Sequence, residues 1–197
     1  MSSREQTFAQ RFSADAGSLA DLLSQAVVEI RSPQGGGAGI IWGGGLIVTN
    51  AHCVPRGASL RVDSAGRAHE AEVVAYSRDD DLALVHAPAV SGPLLELRDA
   101  RSLSPGEIVF AHGHPLGIAH SLTMGAIHGV AMHPRTGEPR FVVADVRLAP
   151  GNSGGALVDA HGRLVGINSM VVGGLGVAIP AVVAQGFVAR ATSRRAA

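Results

Sequence analysis

The chain has 197 residues, and 16 basic side chains balance 16 acidic ones, so its formal net charge is +0. All the basic residues are Arg. Such a neutral chain argues against nucleic acid or an acidic membrane surface as the main partner. Hydrophobic residues make up 46% of the chain, which excludes intrinsic disorder for most of it. The length suits one large domain or two small domains that share an interface.

The N-terminal segment, residues 1–17, is polar and rich in Ala, with Phe8 and Phe12 as its large apolar anchors. The next segment, Ser18–Leu23, has helical spacing, and Ser is a favoured capping residue, so we predict a short helix that begins here. Short β-rich runs separated by Gly, Pro, Asn or Asp turns follow, which predicts an all-β barrel or sandwich. The predicted strands are Val27–Arg31, Gly39–Trp42, Leu46–Thr49, Ser59–Val62, Glu70–Ala75, Leu82–His86, Glu107–His112, Leu122–Val130, Phe141–Asp145 and Arg163–Ile167.

One uncharged stretch of 26 residues, 164–189, is long enough to suggest a membrane helix. Its Gly residues and Pro180 would break a helix, and β-branched residues dominate its first half, so we expect buried strands and no membrane span. The tail from 180 to 195 predicts a closing helix with Pro in its first turn. A boundary between two halves is expected near residues 91–106.

The only cysteine, Cys53, excludes an internal disulfide and a Cys-based zinc site. We expect Cys53 to be a free, buried thiol. The polar N-terminus lacks an apolar signal core. Both features favour a cytoplasmic location, or a periplasmic one if a signal segment has been removed.

Three motifs carry residue types that suit nucleophilic catalysis. The run Thr49–Val54 ends a predicted strand and places His52 at the mouth of a turn. The acidic cluster Asp79–Asp81 stands directly before an apolar strand. The run Pro150–Gly155 places Ser153 in a tight, Gly-rich loop between strands.

The chemistry of acyl transfer explains these residue types. A Ser hydroxyl is a poor nucleophile at neutral pH, so it needs an imidazole to accept its proton. That imidazole needs a carboxylate on its other ring nitrogen, which sets the tautomer and stabilises the cation. The glycines around Ser153 would let the amides of Gly151 and Ser153 converge on one point as an oxyanion hole.

The order His…Asp…Ser, and the loop Gly151-Asn152-Ser153-Gly154-Gly155, resemble the trypsin-like serine proteases and, among them, the HtrA (Deg) branch. Over residues 18–190 the resemblance implies two perpendicular six-stranded β-barrels with short N- and C-terminal helices. Barrel one is expected over about 18–95, barrel two over about 105–180, and the closing helix over 181–193. Other segments similar to motifs of this branch are 26–30, 111–117, 166–169 and 176–180.

The resemblance implies a serine endopeptidase in which Ser153 attacks, His52 is the base and Asp81 orients it, while Asp79 and Asp80 face solvent. Its substrates would be proteins or peptides, its role protein quality control or regulated proteolysis, and no cofactor is expected. The specificity pocket should be mostly apolar and favour an aliphatic side chain before the scissile bond. Its expected lining is Leu148, Ile167, Asn168, Ser169 and Val171.

Two features leave alternatives open. Arg147 stands where relatives carry residues at the base of the pocket, and an inward-pointing Arg147 would favour acidic substrates instead. His112 and His114 form a His-x-His pair, a spacing that can bind zinc. The family loop usually carries Asn at the His114 position, so we expect a structural or substrate-rim role and no metal.

Assembly and overall role also have alternatives. HtrA relatives commonly trimerise through N-terminal aromatics, so Phe8 and Phe12 allow a homotrimer, and a monomer in which they cover a barrel is equally compatible. The length leaves no room for the PDZ domain that usually accompanies such proteases, so we expect a protease module alone. The competing functions are a catalytically weak peptide-binding or chaperone-like module on the same fold, and an esterase.

Overall fold

The computed structural model describes residues 6–33, 35–55, 57 and 59–195. This part of the chain contains two α-helices, α1 (Phe8–Ala26) and α2 (Ala181–Arg195), and twelve β-strands. The strands of the first half are β1 (Val27–Ser32), β2 (Gly35–Gly43), β3 (Leu46–Asn50), β4 (Leu60–Ser64), β5 (Arg67–Ser77) and β6 (Leu82–His86). The strands of the second half are β7 (Ile108–Gly113), β8 (Ser121–Met132), β9 (Pro139–Ala144), β10 (Ala156–Asp159), β11 (Leu164–Val172) and β12 (Leu175–Pro180).

The strands close into two antiparallel six-stranded barrels, in the orders β1-β2-β3-β6-β5-β4 and β10-β11-β12-β9-β8-β7. The expectation of a double six-stranded barrel is confirmed. The strand pattern had located ten of the twelve strands. It did not single out β10, which has only four residues, or β12, which lies inside the uncharged stretch.

The core has three layers, because buried strand residues alternate between the inside of a barrel and the surface where the barrels meet. In β6, Ala83 and Val85 pack inside the first barrel, whereas Leu82 and Leu84 face the contact with the second. A third cluster fills the second barrel. The central layer joins the barrels to both helices, so the cleft between the barrels has a rigid floor.

Helix α1 begins ten residues earlier than predicted, at Phe8. Its cap is Thr7, whose hydroxyl accepts from the Gln10 amide while the Gln10 side chain accepts from the Thr7 amide. Ser18, the predicted cap, lies in mid-helix and its hydroxyl donates to the Ala14 carbonyl. Much of the segment expected at 1–17 is therefore helical, and residues 1–5 lie outside the described residues.

The uncharged stretch 164–189 forms β11, β12 and the first part of α2. Within the ranges that the structure describes, no helix has the length and apolar character to cross a membrane. The closing helix continues at least two residues beyond its predicted end at 193.

The segment between β6 and β7 passes along the second barrel and is attached to it. The Leu164 amide donates to the Glu96 carbonyl at 2.7 Å, and the Arg98 amide donates to the Leu164 carbonyl at 2.9 Å. The Arg98 guanidinium lies 3.1 Å from the buried carboxylate of Asp159. These contacts connect the predicted inter-barrel boundary to the second barrel.

Candidate active site

His52 and Asp81 are brought together by strand pairing in the first barrel. Strand β3 pairs with β6 in a register that places Asn50 opposite Leu82. His52 follows β3 in a 3₁₀ turn, Ala51–Cys53, and Asp81 directly precedes β6. The two side chains therefore leave the same end of two adjacent strands.

The Asp81 carboxylate holds the His52 ring by one nitrogen. His52 Nδ1 lies 2.8 Å from Asp81 Oδ2 and 3.0 Å from Oδ1, and the His52 amide donates to Oδ1 at 3.1 Å. Asp81 has a φ of 50°, which Asp tolerates better than most side chains. Asp79 is exposed, and Asp80 accepts from the Ser77 hydroxyl, so neither contacts the ring.

Ser153 enters the same cleft from the second barrel. It lies in the loop between β9 and β10, and its carbonyl accepts from the Ala38 amide of the first barrel at 2.8 Å. Gly151 and Gly154 have φ values of 104° and 83°. A Cβ would lie 2.2 Å from the His114 carbonyl oxygen at Gly151, and 2.1 Å from the Ala38 carbonyl oxygen at Gly154. The loop conformation therefore requires glycine at both positions.

The hydroxyl groups of Ser153 and Ser169 complete the local network. Ser153 Oγ donates to the Ser169 carbonyl at 3.0 Å, and Ser169 Oγ donates to Asp81 Oδ2 at 3.0 Å. Within the described chain no hydrogen bond joins Ser153 Oγ to His52, so a rotation about χ1 of Ser153 is needed to reach the ring. Such incomplete hydrogen bonding is common in proteases without substrate.

The ion pair governs the electrostatics of the site. The hydrogen bond that the His52 ring donates to Asp81 raises the pKa of His52 from its ordinary 6.5 to about 10, with a smaller contribution from Cys53. Partial burial raises the pKa of Asp81, but its hydrogen bonds with His52 lower it more, so the net shift is downward. The arrangement stabilises the imidazolium cation, which is the charge that a base acquires when it takes a proton from Ser153.

The cleft beside Ser153 has a volume of about 350 Å³ and is lined by both barrels. Three of the five residues expected in the specificity pocket, Leu148, Ser169 and Val171, line it. Ile167 and Asn168 do not line the cleft, because both are fully buried. The side-chain Nδ2 of Asn168 donates to the carbonyls of His112 and Ala156. The full lining is Gly36, His52, Leu148, Ala149, Pro150, Gly151, Asn152, Ser153, Ser169, Met170 and Val171.

Arg147 is exposed and does not line the cleft beside Ser153. It borders a neighbouring cleft of about 350 Å³, and its carbonyl accepts from the Thr123 hydroxyl. Cys53 is free and buried, as predicted, with Sγ 3.6 Å from the Ser153 carbonyl. Residue spacing does not indicate that the hydroxyl of Ser169 would contact Asp81, a residue 88 positions away.

Comparison with known proteins identifies the family to which the chain is similar. The family model of the trypsin-like peptidase domain matches residues 37–167. The chain is 35% identical over 183 residues to Protease Do-like 1, chloroplastic, of Arabidopsis thaliana, covering 85% of this chain and 41% of that protein. It is 33% identical over 172 residues to Serine protease HTRA1 of Xenopus laevis, covering 83% of this chain and 38% of that protein. The chain thus spans about two fifths of the length of these relatives.

Solved structures are similar over most of the chain. A structure of the HtrA-type protease AlgW with a decapeptide has a TM-score of 0.78 and 25% identity, covering 90% of this chain and 67% of that one. The Rv3671c protease of M. tuberculosis, in an inactive form, has a TM-score of 0.78 and 26% identity, covering 90% and 94%. From the family match, these relatives and the two barrels together, the chain belongs to the trypsin-like peptidase domain family, in its HtrA-like branch.

Proposed function

We propose that this chain is a serine endopeptidase that uses Ser153, His52 and Asp81. The observation that carries the proposal is the convergence of these residues in one cleft, with a 2.8 Å contact between His52 Nδ1 and Asp81 Oδ2. The paired His and Asp come from one barrel and the Ser from the other, so the site depends on the folded chain. The similar AlgW structure is one with a decapeptide, which supports peptides as the substrate class of this chain.

The reaction would proceed through an acyl-enzyme. Ser153 Oγ turns from the Ser169 carbonyl toward Nε2 of His52, and in the neutral form of the ring Nε2 takes its proton as the oxygen attacks the substrate carbonyl. The imidazolium, stabilised by Asp81, then gives that proton to the leaving amine as the C–N bond breaks. Water releases the acyl group by the same steps, with His52 again acting first as base and then as acid.

The oxyanion would be held by the amides of Gly151 and Ser153. The Pro150 carbonyl accepts from the Leu116 amide at 3.0 Å, so it points toward that segment. In a trans peptide the N–H points away from the C=O, so the Gly151 N–H is directed away from Leu116. Neither the Gly151 nor the Ser153 amide donates to another described residue. This orientation supports a hole that exists before substrate binds.

We call the Gly-rich run Pro150–Gly155 the oxyanion loop. The pocket next to this loop favours an aliphatic side chain before the scissile bond. Leu148, Ala149 and Val171 contribute apolar surface to it. Gly176 lies behind, where a Cβ would come within 3.2 Å of Leu148 Cδ1. With Arg147 exposed, no Arg among the described residues lines the pocket beside Ser153 to select acidic residues.

The assignment is tested by labelling the purified protein with a fluorophosphonate and by following casein cleavage. We expect both to be lost in Ser153→Ala and retained in the matched variant Ser13→Ala, whose side chain is exposed on α1. Undiminished cleavage by Ser153→Ala would contradict the assignment. Absence of labelling in the unmodified chain would favour the peptide-binding or chaperone-like module, and faster turnover of simple esters than of peptides would favour the esterase.

A peptide library then measures which substrate side chain is preferred at the position before the cleaved bond. Cleavage after Val, Ala or Leu is expected from the apolar lining. Strict cleavage after Glu would overturn the aliphatic preference and would place Arg147 in the substrate site after all.

Assembly, location and biological role remain part of the proposal. Phe8 is 76% exposed and stacks on Phe12, with ring centroids 6.2 Å apart, while Phe12 packs against the central core layer. Phe8 is thus the aromatic that a homotrimer would bury, and a monomer would leave it exposed. Two relatives are named as probable periplasmic endoproteases, so the proposal keeps both the cytoplasmic and the periplasmic location for this chain. Quality control or regulated proteolysis is the role we propose.

A further inference from the structure

Three imidazole rings meet behind the oxyanion loop, on the segment that joins β7 to β8. The ring centroids of His112 and His120 are 5.7 Å apart, those of His114 and His120 4.8 Å, and those of His112 and His114 6.1 Å. His112 is fully buried, His114 is 6% exposed, and His120 lies at the surface. The sequence had indicated only the His112 and His114 pair, because the third ring follows six residues later in a loop.

Three of the four nitrogens of the two buried rings lack a hydrogen-bond partner among the described residues. Among the described residues, Nδ1 and Nε2 of His112 and Nε2 of His114 are buried without a partner. Burying a polar atom without a partner is unfavourable, because the atom loses its hydrogen bonds to water, so a native structure usually supplies a partner.

We propose that His112, His114 and His120 bind one divalent transition-metal ion, for which Zn²⁺ is the test case. Neutral imidazole is a common zinc ligand, and three of them with a water form a tetrahedral set. At a Zn–N distance of about 2.0–2.1 Å, three imidazoles place their ring centroids roughly 4.5–5.5 Å apart. The separations of 4.8, 5.7 and 6.1 Å are close to this requirement.

Binding needs a small rearrangement. With the rings oriented as they are, no three His, Cys, Asp or Glu side chains of the described residues form a ready metal site. His114 Nδ1 accepts from the His120 amide at 3.4 Å, a long and weak bond, and His120 has a strained φ of 55°. Because the His120 ring is at the surface, it can turn inward to bring a third nitrogen to the buried pair.

The site adjoins the proposed oxyanion loop. The His114 amide donates to the Gly151 carbonyl at 3.1 Å, and the Leu116 amide donates to the Pro150 carbonyl at 3.0 Å. An ion that joins strand β7 to His120 would restrain the segment 114–120. It would thereby stabilise the two hydrogen bonds from this segment to Gly151 and Pro150. Ion binding should therefore raise the thermal unfolding temperature of the protein, because the ion binds the folded state only.

The test uses Ser153→Ala, which excludes self-cleavage and makes the result independent of the protease assignment. Isothermal titration with Zn²⁺ and visible absorption of the Co²⁺ form are the readouts. We expect one ion per chain, the intense absorption of tetrahedral Co²⁺, and a higher unfolding temperature. Adding His120→Gln or His114→Asn should weaken binding by at least about tenfold, since even groups that only support metal ligands commonly contribute that much.

Two matched variants make the experiment specific. His128→Gln removes an exposed His of β8 outside the cluster, and His52→Gln removes the ring of the proposed triad, so both should leave Zn²⁺ binding unchanged. The proposal is overturned if Ser153→Ala takes up no ion, if His120→Gln and His114→Asn bind as tightly as their parent, or if His52→Gln abolishes binding. Because His120 is exposed, its substitution leaves the buried core intact and the protein folded.

Discussion

Asp81 accepts three hydrogen bonds that converge on one carboxylate: from the His52 amide, from the His52 ring and from the Ser169 hydroxyl. Two of these donors belong to His52 in the first barrel and the third belongs to Ser169 in the second, so the carboxylate is held in position before any substrate arrives. This rigidity lets one residue control both the tautomer and the pKa of His52.

Replacing the carboxylate should change the rate and its pH dependence together. In Asp81→Asn, kcat/KM for a peptide substrate should fall roughly 10⁴-fold, because the imidazolium loses its counter-ion and the tautomer is no longer set. The pKa of His52 should drop from about 10 toward its ordinary 6.5, so the rise of kcat/KM with pH should move to lower pH. Rates measured over a pH series check both.

The neighbouring aspartate provides the control for that measurement. Asp79→Asn removes the same charge from an exposed side chain two residues away and should leave both rate and pH profile unchanged. A pH midpoint in Asp81→Asn that stays in place or rises would show that Asp81 does not set the pKa of His52.

Side-chain direction explains why Ile167 and Asn168 do not line the cleft beside Ser153, although the sequence predicted them in the specificity pocket. Strand β11 has a register shift between Asn168 and Met170, where it pairs with β12. Such a bulge interrupts the alternation of sides, so Ile167, Asn168 and Ser169 are all buried while Met170 is exposed. A motif identifies the strand, but it does not report a bulge inside it.

At the scale of elements, the N-terminal cap of α1 is Thr7 and not the predicted Ser18. Thr7 and Gln10 form a reciprocal capping box, which satisfies two backbone amides at the start of the helix. The apolar spacing around Ser18–Leu23 marks the part of the helix that packs against the barrels, and Leu23 is fully buried there. The polar turns before it extend the helix without contributing to that pattern.

The observed cap Thr7 and the predicted cap Ser18 can be distinguished by the free energy of unfolding of their Ala variants. Thr7→Ala should lower the free energy of unfolding by about 1 kcal/mol, because the Gln10 amide loses its acceptor. Ser18→Ala should have little effect or stabilise by about 0.5 kcal/mol, since Ala is the better residue in mid-helix. Urea denaturation of both variants measures the difference, and a larger loss in Ser18→Ala would mean that the helix begins at Ser18.

At the scale of the whole molecule, the segment between the barrels is anchored by a buried ion-pair network. The Asp159 side chain is 3% exposed and contacts the guanidinium groups of Arg98 and Arg163, at 3.1 and 2.7 Å. Arg98 also pairs with Glu107 at 2.7 Å, just before the second barrel begins. Burial raises the pKa of Asp159, but its hydrogen bonds with Arg163, His161 and Arg98 lower it more, so the net pKa lies below the ordinary 3.8.

Breaking this network should destabilise the fold in a pH-dependent way. Asp159→Asn should cost about 3 kcal/mol at neutral pH, because Arg163 loses its buried carboxylate partner and Arg98 keeps only Glu107. A lowered pKa in the folded state means that the contribution of Asp159 is present above pH 3.8 and is lost as the pH falls through the folded value. The difference between parent and variant in urea should therefore shrink in acid. The exposed change Asp99→Asn is the control and should have little effect at either pH.

The sequence by itself determined the barrel class, most strands, and the three residues we assign to catalysis, because period-two burial and the motifs around His52, Asp81 and Ser153 are local. Only the tertiary structure decided what depends on residues far apart in the chain. Examples are the Ser169 hydroxyl on Asp81, the burial of Asn168, and the meeting of His120 with the buried histidines. Strand register and loop closure set such contacts, and neither is readable from residue spacing alone.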